Sequence, residues 1–229
     1  MNWESIKQDF YNYIIENNII GFFNKPITLK SGRKSYWYVN WRNISSDVYL
    51  IDKLADYIIE FVKNLNLNFN CFFGVPEGAT KIGIITQYKW ALNQNNFGKN
   101  NYSLVMGRGK PKDHGKPKDR YFLGIPNGKV IIIEDVTTTG GSLLNSIEKI
   151  KKLDSEIVAA IGLTNRNELR EDNKTVEEVL QDHGVKYYPM SNALELIPLA
   201  YKKIGLSEKI AKEIELYFSQ YGTKNIRLL

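Results

Sequence analysis

The chain has 229 residues, 43% of them hydrophobic and 24% charged, with a single cysteine, Cys71. That length suits one large domain with a sizeable core, and one cysteine excludes an internal disulfide framework and points to a reducing cytosol. The net charge of +6 is concentrated between residues 108 and 120, where six basic residues stand against two acidic ones, which suits a compact anionic ligand better than the spread positive face of a nucleic-acid binder. The chain opens without a basic segment followed by an apolar run, and its longest apolar runs, such as residues 157–163, are too short to cross a membrane. No secretory signal, membrane association or nucleic-acid partner is expected.

Apolar spacing predicts a first helix over residues 3–16, with Trp3, Ile6, Phe10, Tyr13 and Ile14 on one face. Short strands follow at 27–29 and 36–40, and a helix at 47–65. From there apolar runs and helical segments alternate. Strands are predicted at 71–75, 102–106, 129–134, 157–164 and 185–190, and helices at 79–92, 141–153, 175–183 and 207–221. The helix at 175–183 carries a capping box, Thr175 with Glu178, and ends at His183 before Gly184, where the histidine would meet the helix dipole. Alternation of this kind predicts an α/β fold, a central parallel sheet flanked by helices. Residues 1–229 read as a single domain, with about 1–45 as a small N-terminal hood and about 46–229 as the α/β core.

The most informative stretch runs from Val130 to Ser142. Four apolar residues, Val130 to Ile133, fit a central strand buried on both faces. Glu134 and Asp135 fall where that strand is predicted to end, and Thr137, Thr138, Thr139, Gly140, Gly141 and Ser142 lead into a helix. Small residues let successive N–H groups turn inward, and with the helix N-terminus they form an anion site. The adjacent carboxylates would repel a phosphate but can accept hydrogen bonds from sugar hydroxyls. Together the two features read as a cradle for a ribose 5-phosphate. Neither the G-x-x-x-x-G-K-[ST] nor the G-x-G-x-x-G spacing occurs in the chain.

With its acid-acid-Val-x-Thr-Thr-Gly-Gly-Ser pattern, the chain resembles the type I phosphoribosyltransferases, and among them the orotate-using family. Three more segments carry the narrower likeness: Leu29-Lys30-Ser31-Gly32-Arg33-x-Ser35, Arg108-x-x-x-Lys112-Asp113-His114-Gly115, and Asn165-Arg166 after the fourth core strand. The C-terminal stretch adds no motif. The resemblance implies transfer of a phosphoribosyl group from 5-phosphoribosyl 1-diphosphate (PRPP) to orotate, in pyrimidine synthesis. It implies that Thr137, Thr138, Thr139, Gly140, Gly141 and Ser142 hold the 5′-phosphate and that Glu134 and Asp135 hold the ribose. Lys30 would lie near the leaving group or the base, and Arg108, Lys112 and His114 would meet the diphosphate. Asp135 joins Arg108, Lys112 and His114 as the catalytic set. Tyr38, Val39, Thr138 and Arg166 would recognise orotate. Mg2+ would be carried mainly on PRPP, without a protein cage, and a homodimer would share the flexible 107–120 loop between subunits. The chain departs from the family pattern at Gly109, where a second basic residue is common, at Glu77, where a lysine is common, and at Tyr36, where a proline is common. Two alternatives stay open: transfer to another nucleobase, and a non-catalytic PRPP-sensing regulator with this fold.

Overall fold

The computed structural model describes residues 3–29, 31–113 and 119–229. Lys30 and His114, both expected at the site, lie outside them. The chain begins with α1 (Trp3–Glu16), whose bounds match the sequence reading, and an antiparallel pair, β1 (Ile20–Thr28) and β2 (Lys34–Val39). β1 starts well before the predicted strand, and its register with β2 shifts between Phe22 and Ile27. Pro26 lies within that irregularity and has no N–H to give a ladder. α2 (Val48–Asn64) follows, capped by the Asp47 side chain, which accepts from the Leu50 N–H at 3.0 Å.

The core contains β3 (Cys71–Gly74), α3 (Thr80–Leu92), β4 (Met106–Gly107), β5 (Phe122–Leu123), β6 (Gly128–Thr137), α4 (Gly141–Lys151), β7 (Ser155–Asn165), α5 (Val176–Asp182), β8 (Tyr187–Asn192), α6 (Ala193–Ile204) and α7 (Glu208–Tyr221). Four strands form one parallel sheet in the order β3-β6-β7-β8. Ile131 and Ile133 pack into one apolar cluster with α1, α2, α6 and α7, while Val130 and Ile132 pack into another with α4 and α5. The alternation along one strand therefore builds the two faces of the sheet. The hood is continuous with the core: Phe10, Trp37 and Trp41 belong to the same cluster as Ile131 and Ile133.

The five-strand expectation needs correction. Residues 102–106 do not join the parallel sheet; only Met106 and Gly107 are strand, and they pair antiparallel with Leu123 and Phe122. The buried Gln87 side chain occupies the space beside β3 instead. It accepts from the Phe72 N–H at 2.8 Å and donates to the Ser103 carbonyl at 2.9 Å, so an amide side chain closes the β3 edge. No helix was predicted between residues 190 and 207, yet α6 forms there with Pro198 inside it. Burial of Ala193, Leu196, Ile197 and Ala200 holds that helix around the proline. The capping box on α5 is present as expected, and His183 is the C-cap residue, with its Nδ1 2.9 Å from the Val179 carbonyl.

Candidate active site

β6 outruns its predicted end and carries Glu134, Asp135 and Thr137 within its last four residues. Its partner β7 runs parallel as far as Asn165, so Arg166 leaves the sheet on the same side as the phosphate turn. The Arg166 N–H donates to the Thr137 carbonyl at 2.9 Å and locks the two together. At this carboxyl end of the strands, where ligands of such sheets bind, lies a cavity of about 800 Å³. Its lining unites Tyr38 and Val39 from β2, Arg108, Glu134 and Asp135, the run Thr137 to Ser142, and Arg166. Lys112 does not line it; its backbone N–H donates to the Arg120 carbonyl at 3.0 Å. Arg108 reaches the cavity wall while its Nε donates to the Asp119 carbonyl at 3.2 Å.

At one end of the cavity, Gly140 takes φ 73°, in the left-handed region, and is the N-cap of α4 without a side-chain cap. The missing cap leaves first-turn N–H groups for an anion. Thr138, Thr139 and Ser142, each with a hydroxyl, line the cavity. Thr137 differs: it is buried, and its hydroxyl is shared with the buried Tyr187 hydroxyl, so this residue braces the turn from below. One face of α4 prolongs the wall with Asn145, Ser146 and Lys149, which the sequence reading did not single out. Asp135 lies against the β3–α3 turn so closely that a Cβ on Gly78 would be 2.1 Å from its Oδ2.

At the other end stands Arg166, 2% exposed. Its Nε donates to Glu168 Oε1 at 2.6 Å, its guanidinium lies 3.7 Å from the Trp37 ring centroid, and one Nη is 3.5 Å from the Tyr217 hydroxyl. Arg33, expected on the substrate segment, grips the second oxygen of Glu168 at 2.7 Å and does not line the cavity. Glu168 is thus a buried carboxylate between two guanidinium groups. Among the described residues, three buried side-chain polar atoms lack a partner: Trp37 Nε1, Thr86 Oγ1 and the other Arg166 Nη. Of these residues only Arg166 lines the cavity. A buried guanidinium donor left open is costly, and a planar carboxylate in the cavity would satisfy it.

Two of the three departures from the family pattern, Gly109 and Glu77, face each other. A Cβ on Gly109 would be 2.7 Å from Glu77 Oε1, so the loop residue without a side chain sits under the carboxylate that stands in place of a lysine. Sequence separation hid this pairing. It also hid Glu168, Trp37 and Tyr217, whose contact with Arg166 no local pattern announces.

No family model matches the chain. The orotate phosphoribosyltransferase of Pyrococcus horikoshii is 27% identical over 203 residues, which cover 89% of this chain and 97% of that protein. That of Bradyrhizobium diazoefficiens is 32% identical over 154 residues, 64% of this chain and 77% of that protein. The chain belongs to the orotate phosphoribosyltransferase family. Solved structures share the family fold. The Francisella tularensis orotate phosphoribosyltransferase superposes with TM-score 0.69 at 22% identity, over 93% of this chain and 99% of that one. The Leishmania donovani UMP synthase gives 0.70 at 20% identity, over 93% of this chain and 42% of that longer one.

Proposed function

We propose that the protein transfers the phosphoribosyl group of PRPP to orotate, giving orotidine 5′-monophosphate and diphosphate. A carbon–nitrogen bond to the base forms as the carbon–oxygen bond to diphosphate breaks, and the ring nitrogen loses its proton. The observation that supports the reading is that one cavity is lined by the turn Thr137 to Ser142, the acid pair and Arg166, a residue with one buried Nη that has no protein partner. One end of the cavity fits a phosphate, the middle fits sugar hydroxyls, and the far end offers a guanidinium donor to a carboxylate.

In this reading the first-turn N–H groups of α4 and the hydroxyls of Thr138, Thr139 and Ser142 hold the 5′-phosphate. Glu134 and Asp135 accept from the ribose hydroxyls, and Asp135 faces the positive charge that develops on the sugar as diphosphate departs. Tyr38, Val39 and Arg166 orient orotate. Among the described residues no group of three or more His, Cys, Asp or Glu side chains could cage a metal. The lining does hold Glu134 and Asp135 beside the proposed ribose site, and this fits Mg2+ brought in on the oxygens of PRPP. Bound there, the ion would neutralise the departing diphosphate.

A homodimer with a shared 107–120 loop accords with the position of Lys112, which does not line the cavity of its own chain. Light scattering should return a dimer, and mixed Lys112→Ala and Asp135→Asn chains should show higher activity than either variant by itself. A cytosolic setting suits Cys71, a free thiol buried in β3. Among the described residues no helix is long and apolar enough to cross a membrane. The decisive assay mixes protein, PRPP, Mg2+ and orotate and follows orotate absorbance. A steady loss is expected; none with folded protein, or equal turnover of a purine base, overturns the reading.

A further inference from the structure

The phosphate turn from Thr137 to Ser142 contains no cationic side chain. Behind it, outside the cavity lining, stands Arg170 on the loop between β7 and α5. One Nη of Arg170 donates to the carbonyl of Thr139, and this bond spans 31 residues of sequence. The guanidinium is held in turn. Its Nε donates to Asp172 at 3.3 Å, the Arg170 N–H donates to the Lys174 carbonyl at 3.0 Å, and its carbonyl accepts from Asn173 at 3.1 Å. The exposed Asp172 carboxylate offsets part of the charge without occupying the Nη that reaches the turn.

The peptide from Thr139 to Gly140 is planar and trans, so its C=O and N–H point in opposite directions. A carbonyl drawn outward to Arg170 forces the Gly140 N–H to point away from Arg170. The Gly140 carbonyl is committed to α4, where it accepts from the Leu144 N–H at 2.9 Å. With both neighbouring peptide planes anchored, the turn has one orientation. The guanidinium charge on the Thr139 oxygen also polarises the amide and strengthens its N–H as a donor.

We propose that Arg170 is a positioning residue for the phosphate group of PRPP: it pins the Thr139 carbonyl outward, aims the Gly140 N–H at the phosphate, and lends the turn the positive charge it otherwise lacks. The proposal builds on the phosphoribosyl reading of the cavity, but it concerns the phosphate alone. Its test therefore uses inorganic phosphate as well as substrate.

The experiment compares the parent protein with Arg170→Gln and Arg170→Lys. It measures phosphate affinity by titration calorimetry, and KM and kcat for PRPP and for orotate. Loss of an interaction made equally in the ground and transition states raises KM and spares kcat. For Arg170→Gln the phosphate Kd and the KM for PRPP should each rise about tenfold, while kcat and the orotate KM stay within about twofold. Arg170→Lys keeps the charge and a donor but not the planar fork, so its phosphate Kd should rise only about threefold. A phosphate Kd within twofold of the parent in Arg170→Gln, or a kcat that falls as much as the PRPP affinity, overturns the proposal. If Arg170→Gln does not fold, Arg170→Lys decides by the same phosphate measurement, an unchanged Kd overturning it. Absence of orotate turnover in the parent would sink the orotate reading and leave the phosphate comparison standing.

Discussion

The two ends of the cavity are built in opposite ways. The end proposed for the phosphate is one contiguous turn, Thr137 to Ser142, that offers backbone N–H groups and hydroxyls. At the end proposed for the base, the lining residue Arg166 is held by side chains behind the wall, Trp37 from β2, Glu168 after β7 and Tyr217 from α7, with Arg33 closing the network across 135 residues of sequence. A backbone site tolerates changes in its surroundings as long as the turn keeps its shape. A buried ion network does not, because removing one member strands the charge of another. Recognition and folding are therefore coupled at the base end and separable at the phosphate end.

The largest expected effect tests that coupling. Arg166→Met leaves Glu168 buried with Arg33 alone. Stability should fall by about 3 kcal/mol, and kcat/KM for orotate by about a thousandfold. Chemical denaturation alongside the orotate assay checks both. A denaturation midpoint equal to that of the parent would break the comparison. In the middle of the cavity, Asp135→Asn should lower kcat about a hundredfold with the melting temperature unchanged. Gly78→Ala should act in the same direction, since its Cβ would be 2.1 Å from Asp135 Oδ2 and would displace the carboxylate. Full turnover in Gly78→Ala would mean that the position of Asp135 is not critical.

A smaller effect is expected from the basic loop. Lys112→Ala and His114→Ala should each lower kcat, by about tenfold or more, and leave denaturation curves unaltered. Unchanged turnover in both would remove the loop from the chemistry. The last test concerns the sheet beneath the site, where no change in turnover is expected. Burial pushes the Cys71 thiol up from 9.0 to about 12. The folded state thus keeps its proton to higher pH than the unfolded chain. The contribution is complete below about pH 9 and is lost as pH rises from there toward 12, by at most about 1.4 kcal/mol per pH unit. Denaturation at stepped pH should show that slope, and Cys71→Ala should reduce it without altering either KM. A slope identical in the variant would assign it wholly to other groups, such as Tyr11 and Tyr13, whose hydroxyls burial also pushes up.

Legibility followed the range of the interactions. α1 matched its predicted bounds, and the α5 capping box was present, because both are written in residues a few positions apart. The second core strand failed because Gln87, from α3, took over the hydrogen bonds that a strand there would have made. α6 lay outside the predicted helices, and it is burial of Ala193, Leu196, Ile197 and Ala200 that carries it past Pro198. At the site, the sequence named Arg166 but not what holds it.

By itself the sequence determined the class of the protein: a strand, two acids and a small-residue turn lie contiguous from Val130 to Ser142, and that stretch carried the family likeness. Only the tertiary structure decided which partners complete it. The Arg33–Glu168–Arg166 network, the approach of Glu77 to Gly109, and the reach of Arg170 to the Thr139 carbonyl all join residues from separate segments. Such contacts depend on how strands are ordered in the sheet and which helices cover it, and that order is fixed by burial of the whole core, not by any local pattern.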